Sequence, residues 1–204
     1  PAIDSTGRLF DQSANLSRKL GGKLSYERAV LADLTLTAGL DVLFDRTEQY
    51  LVQTGRAWVP QTDFRSFAPF AQGNLALFNG MLRIAGGLRY EDVQLKVPDF
   101  QTLAFYGATN PNLVATYRPN PVAGGEPSFN DLLWNGGVIV EPVKGLRAYG
   151  SYAEGYTIAD VGRILRGITQ QNVDIDNFLD LEPVISNNRE VGLEWKAGPV
   201  DAGV

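Results

Sequence analysis

The sequence predicts an all-β chain, an antiparallel up-and-down meander that forms part of a transmembrane β-barrel. Three observations carry that expectation. Apolar and polar residues alternate with period two over long runs. The connections between the runs alternate between short and long. The runs also exceed the ~5–6 residues of an ordinary soluble strand and reach the ~9–11 needed to cross a bilayer.

Seven strands are expected, near 17–30, 33–47, 63–78, 81–97, 131–142, 146–156 and 186–197. The first, from Ser17 to Val30, is poorly patterned. In the second, Leu34, Leu36, Ala38, Leu40, Val42 and Phe44 alternate with Thr35, Thr37, Gly39, Asp41, Leu43 and Asp45. A tight turn at Leu31-Ala32-Asp33 joins these two. The third and fourth meet at Asn79-Gly80, a hairpin dipeptide because both residues tolerate positive φ. In the fourth, Leu82, Ile84, Leu88 and Tyr90 oppose Arg83, Arg89 and Glu91. The fifth sets Leu132, Trp134, Val138 and Val140 against Asp131, Asn135 and Glu141, and turns at Pro142-Val143-Lys144-Gly145 into a sixth rich in Gly, Ala and Tyr. The seventh sets Val191, Leu193 and Trp195 against Asn188, Glu190, Glu194 and Lys196, and runs into Gly198-Pro199.

The remaining connections, 48–62, 98–130 and 157–185, are long. Every short turn therefore falls at one end of the strands and every long loop at the other, the asymmetry of outer-membrane barrels. A soluble sandwich or lipocalin-like barrel also alternates its residues, so a soluble β-sheet binding domain stays open on pattern alone.

Composition narrows the function. The 204 residues are 44% hydrophobic and 20% charged, an ordinary folded composition, with a net charge of −5 that argues against a nucleic-acid partner. There is no Cys and no His. Thiolate chemistry, a Ser-His-Asp triad and the commonest metal ligand are thereby excluded, and no enzyme is expected. No apolar run is long enough for a transmembrane helix. Pro1 to Ser5 do not read as a signal peptide. Seven strands leave two bare edges, and Asp201 to Val204 follow directly on a turn signal. The expectation is an internal piece of a longer barrel chain, without its flanks.

Four segments carry a family resemblance. Phe64-Arg65-Ser66-Phe67-Ala68-Pro69-Phe70-Ala71-Gln72 followed by Leu82-Arg83-Ile84-Ala85-Gly86-Gly87-Leu88-Arg89-Tyr90-Glu91 resembles a hairpin of TonB-dependent outer-membrane receptors. Leu146 to Tyr156, with Glu154-Gly155-Tyr156, and Asn187 to Trp195, with Glu190-Val191-Gly192, resemble two further strands of that family, in its order. Gly124-Gly125 and Phe129 to Gly137 are similar to the receptors for hydroxamate siderophores of the aerobactin type.

The resemblance implies a 22-stranded barrel in the bacterial outer membrane. It also implies an N-terminal plug domain, absent here with the C-terminal strands, and ferric-siderophore uptake energised by the inner-membrane TonB complex through the missing N-terminal region. Cobalamin, haem or an oligosaccharide is the alternative cargo. No cofactor is implied, since iron arrives only inside the bound ferric siderophore. The expected partners are that siderophore, outer-membrane lipid, the plug and the TonB complex.

Such a receptor needs donors and aromatic faces at its loops, not metal ligands. The candidates are Arg56 and Trp58 in the first loop, Phe105, Tyr106, Tyr117 and Arg118 in the second, and Tyr156, Arg163 and Arg166 in the third. Any one of these arginines also reads as an ordinary loop side chain, solvated or paired with a nearby Asp. Asp160 to Gly167 read as a short helix, with Asp160 as N-cap and Gly167 closing it. Arg163 and Arg166 would share one of its faces. Arg83, Arg89, Glu91, Glu190, Glu194 and Lys196 read as charges on the inner wall. Asp174, Asp176 and Asp180 lack the Gly and Glu of a calcium loop and read as a solvated acidic segment.

Overall fold

The computed structural model describes residues 2–3, 9–10, 12–53, 55–102, 120–158, 160–179 and 183–204. Its main body is one antiparallel sheet. The strands are β1 (Ser13–Leu31), β2 (Leu34–Leu51), β3 (Ala57–Leu77), β4 (Leu82–Lys96), β5 (Ser128–Val143), β6 (Leu146–Thr157), β7 (Val184–Ala197) and β8 (Val200–Gly203). Each pairs with its neighbours in sequence, giving an eight-stranded meander with β1 and β8 at the open edges.

Period two sorts the side chains cleanly. Register places Leu20, Phe44 and Arg65 on one face and Lys23, Asp41 and Ala68 on the other. The first face carries the apolar stripe, including Leu24, Phe67, Leu88, Trp134, Val138 and Val191, and it stays open. Leu24 is 75% exposed and Val191 84% exposed. Among the described residues, no second protein layer packs upon this stripe. The polar face carries Lys19, Lys23, Asp41, Arg89, Glu91, Arg147, Glu190 and Glu194, so the expected alternation holds through β2, β4, β5 and β7.

The hairpins are tight at one end. Ala32-Asp33, Lys144-Gly145 and Gly198-Pro199 each link two strands directly. The turn at Asn79-Gly80 is wider than the dipeptide predicts. Leu77 pairs with Leu82, and Phe78, Asn79 and Gly80 all have positive φ, at 53°, 56° and 84°. An aromatic residue is held in the left-handed region there, one position before the two residues that favour it.

At the other end the strands run further than expected. Gln49 still pairs with Val59 and Tyr50 with Ala57. The first loop thereby shrinks from 48–62 to 52–56, and Trp58 lies on β3, not in a loop. Past the apolar stripe the sequence loses its period-two contrast while the backbone ladder continues, which is why composition hid these pairs. An eighth strand, β8, also follows the Gly198-Pro199 turn, with Ala197 opposite Val200.

Two inward aromatics lie flat over glycines. A Cβ at Gly39 would sit 2.5 Å from Phe70 Cζ and 2.6 Å from the Leu24 carbonyl oxygen; one at Gly192 would sit 2.4 Å from Tyr149 Cζ. Neither position admits a side chain without moving the ring.

The two faces predict opposite responses at adjacent residues. Val42→Arg, on the apolar face, is expected to cost about 2–4 kcal/mol in the membrane-inserted protein. Leu43→Arg, on the polar face, is expected to cost under about 1 kcal/mol. Urea titration of the refolded barrel in lipid vesicles measures both; equal costs would contradict the assignment of faces.

Candidate functional site

The polar face carries a row of ion pairs that only the strand register assembles. Arg89 donates from Nη1 to Asp41 and from Nε to Glu91. Glu91 is 7% exposed and also accepts from Ser66 Oγ at 3.4 Å. Lys23 Nζ lies 3.7 Å from Asp41 Oδ1 and 5.0 Å from the centroid of the Phe70 ring. Lys19 Nζ is 3.0 Å from Asp45. Across the sheet, Arg147 joins Glu194 at 3.3 Å and Glu141 at 3.6 Å, and Tyr149 donates to Glu190 at 3.2 Å.

Of the charges expected on the wall, Arg89, Glu91, Glu190 and Glu194 therefore meet partners on that face. Arg83 donates to the Gly80 carbonyl at 3.4 Å, and Lys196 pairs with Asp201 at 3.3 Å. The β3–β4 ladder omits Ala68 and Pro69 opposite Glu91 and Tyr90. Proline has no N–H to donate there. Beside this gap Ala68 is fully buried.

At the loop end, segments of the two long connections fold back and build a small core of their own. Phe100–Thr102, Asn120–Ala123 and Val173–Asp174 form a three-stranded sheet. Two short helices join it, α1 (Val161–Arg166) and α2 (Ile175–Phe178). Val122, Leu165, Ile168, Val173, Ile175 and Leu179 bury themselves against Val59, Leu95 and Val97 at the ends of β3 and β4. Phe64, which is opposite Leu95 on the polar face, packs against the same cluster. The described parts of these connections thus form a packed cap anchored on the polar face of the sheet.

Local chemistry fixes the cap. Asp160 caps α1 by accepting from the Arg163 N–H at 3.0 Å, as the sequence predicts. Gly167 closes that helix in the right-handed region, at φ −83°, its N–H reaching the carbonyls of Arg163 and Ile164. Asp174 caps α2, accepting from the Asp176 N–H at 3.0 Å and from Asn177 Nδ2 at 2.9 Å. Asp176 accepts from the Glu126 N–H at 2.7 Å. Both carboxylates are exposed, in keeping with the expected solvated acidic segment, and they also brace backbone. Asp180 lies outside the described residues.

Gly124-Gly125 has a packing explanation. A Cβ at Gly124 would fall 2.3 Å from the Val97 carbonyl oxygen, and one at Gly125 would fall 2.3 Å from Asp176 Oδ1. Phe129 to Gly137, read with that pair from the sequence, form strand wall in β5.

The expected ligand contacts separate into groups. Arg166 and Trp58 come together: the guanidinium carbon is 5.8 Å from the ring centroid, and Nη1 donates to Gln49 at 3.1 Å. This joins α1 to β2 and β3. Arg163 is exposed, and its guanidinium has no partner among the described residues, so the two arginines of α1 share no contact there. Arg56 is half-buried in the 52–56 connection, its carbonyl accepting from the Leu51 N–H at 2.9 Å. Tyr156 packs on Phe129, with ring centroids 5.4 Å apart, and its hydroxyl is buried without a hydrogen-bond partner among the described residues. Phe105, Tyr106, Tyr117 and Arg118 lie outside the described residues.

Gln49 is the contributor that sequence reasoning missed at these contacts, because it acts through a partner distant in sequence. Phe129 carried a signal only as part of the receptor-like segment Phe129 to Gly137. Among the described residues no group of three or more acidic, His or Cys side chains is placed to hold a metal ion.

Residues 3–204 match the family model for "TonB dependent receptor-like, beta-barrel". Solved structures share the architecture at low identity. "Copper transporter OprC" is 17% identical with a TM-score of 0.66, over 94% of this chain and 30% of that one. The ferric yersiniabactin uptake receptor FyuA from Yersinia pestis is 13% identical with a TM-score of 0.63, over 91% and 27%. The Serratia marcescens hemophore receptor HasR, solved with its hemophore HasA and heme, is 18% identical with a TM-score of 0.64, over 93% and 31%. The chain thus spans under a third of the length of these structures.

The cap should be separable from the sheet. Leu165→Ala, at a fully buried position, is expected to cost about 2–5 kcal/mol locally. Amide exchange should then quicken through Val161–Arg166 and 173–179 while β1–β3 keep their protection. Unchanged exchange in the cap would show that the cluster does not hold it.

Proposed function

This chain belongs to the TonB-dependent receptor β-barrel family, and from that membership we propose that it forms part of the wall and loop cap of an outer-membrane receptor for ferric-siderophore uptake. Import is driven, in this reading, by the inner-membrane TonB system acting through a plug domain inside the barrel. The apolar face meets outer-membrane lipid. The ion-paired face, with Arg89, Asp41 and Glu91 at its centre, meets the plug.

The observation that carries the reading is the Trp58–Arg166–Gln49 cluster, which joins the cap to the ends of β2 and β3. A ferric siderophore brings its own iron ligands, so its receptor needs an aromatic face and a planar donor that reads carboxylate or carbonyl oxygens. Arg163, exposed on α1, and Tyr156, which packs on Phe129, are further proposed contacts. The family is one of receptors and transporters, and the one buried carboxylate among the described residues, Glu91, is engaged by Arg89 and Ser66, which suits a wall role better than catalysis. The narrower aerobactin-like hydroxamate reading rests on the sequence resemblance alone.

Growth of an uptake-deficient host carrying the full-length gene tests the proposal, with one iron source supplied at a time. A ferric hydroxamate should restore growth. Restoration by haem or cobalamin alone would replace the siderophore reading with another cargo of the same architecture. Replacing Trp58 and Arg166 together by Ala is expected to raise the half-saturating ligand concentration about tenfold, from the loss of one aromatic and one cationic contact. Unchanged uptake at limiting ligand would remove the cluster from the binding surface.

A further inference from the structure

Four adjacent strands carry basic side chains on the apolar face, at or just beyond the Leu20–Phe44 rung at the loop end. Leu20 of β1 is opposite Phe44 of β2, and two residues further out Arg18 is opposite Arg46. Phe44 is in turn opposite Arg65 of β3, while Arg46 is opposite Asp63, and Asp63 is opposite Lys96 of β4. These side chains line a hollow of about 480 Å³.

Two of the four cations are matched within the chain. Arg46 Nε donates to Asp63 Oδ1 at 2.5 Å, and Lys96 pairs with Glu126. The Lys96 hydrogen bond holds the Glu126 carboxyl below the usual carboxylate range. Arg18 and Arg65 make no hydrogen bond or ion pair with the described residues; Glu126 attracts Arg65 only at longer range. Like charges directly opposite on paired strands, as Arg18 and Arg46 are, destabilise a sheet by themselves. The arrangement is therefore complementary to an anion that the described residues do not supply.

The position says which anion. The charges sit where the stripe facing hydrocarbon ends, with Leu20 and Phe44 directly beneath them. A soluble anion gains nothing from that apolar floor, whereas a lipid uses both parts, its head group on the arginines and its chains along the stripe. We propose that Arg18, Arg46 and Arg65 bind the phosphate of an anionic lipid in the leaflet on the loop side, with Leu20 and Phe44 packed against its chains. This rests on the reading that the apolar face lies in a membrane, and it adds a lipid site on the outside of the wall, on the opposite face of β2 from Gln49.

The test uses the full-length receptor in phosphatidylcholine nanodiscs doped with phosphatidic acid or, separately, with diacylglycerol. Native mass spectrometry then counts the doped lipid that stays bound after release. Phosphatidic acid should be retained at least about tenfold over diacylglycerol. Arg18→Ala with Arg65→Ala should lower that retention about thirtyfold, at the attraction expected of each basic residue near a charged lipid surface. Arg18→Lys with Arg65→Lys should keep most of it. Equal retention of the two lipids, retention unaffected in the Ala double variant, or displacement by an equal concentration of inorganic phosphate would each overturn the proposal. A receptor that fails to enter the discs at all would overturn the membrane reading instead, and the two failures are told apart by whether protein elutes with the discs.

Discussion

A peptide group left unpaired in hydrocarbon costs several kcal/mol, so a membrane wall made of strands must close nearly every backbone hydrogen bond with its neighbours. The rest of this structure follows from that ladder. It makes the strands long, since pairing must run the full depth of the layer and continue beyond it, as at Gln49–Val59. It makes the turns at one end tight, because a loose turn there would open the ladder. It also sends the apolar residues to one face and the charges to the other, whatever each residue's own preference. The ladder lapses between β3 and β4, at Ala68-Pro69. There the polar face offers a dense substitute, with Ala68 fully buried and Glu91 held between Arg89 and Ser66.

The same ladder explains why the inner charges form a network. Register puts Lys23 opposite Asp41 and Lys19 opposite Asp45, so cations of one strand meet anions of the next. A carboxylate as buried as Glu91 is tolerable only beside a cation that neutralises it. At the loop end the logic changes. There the connections bury Leu165, Ile168 and Ile175 in an ordinary hydrophobic core, and short carboxylate caps finish the helices. The molecule thus combines a wall ruled by backbone pairing with a cap ruled by side-chain packing.

Much of the wall was legible in the sequence. The alternation from Leu34 to Phe44 and from Leu82 to Glu91 is local, and local pattern reports directly on which face a residue takes. The Asp160–Gly167 helix was legible for the same reason, because its cap lies within one turn of its partner. What stayed hidden depends on partners far along the chain. Trp58 looked like a loop residue because the pairing of Tyr50 with Ala57 leaves no hydrophobic signature. The Trp58–Arg166 contact joins residues on separate elements, and no spacing rule reaches that far. Gly124-Gly125 read as a ligand-type signature, whereas its spacing to Val97 and Asp176 shows a packing demand. The width of the turn at Phe78 was misjudged because Asn79-Gly80 is favourable in more than one turn, and only the flanking register chooses.

The rings of Phe70 and Tyr149, reclined over Gly39 and Gly192, have a mechanical consequence. Because each aromatic lies along the wall and not out from it, the inner surface is kept low-relief, like the lining of a sleeve bearing. A methyl group beneath either ring would displace the aromatic from its place on the wall. Clearance for anything that must slide past this part of the wall is therefore set by the smallest side chain in the protein, and a single-carbon change would tighten the fit.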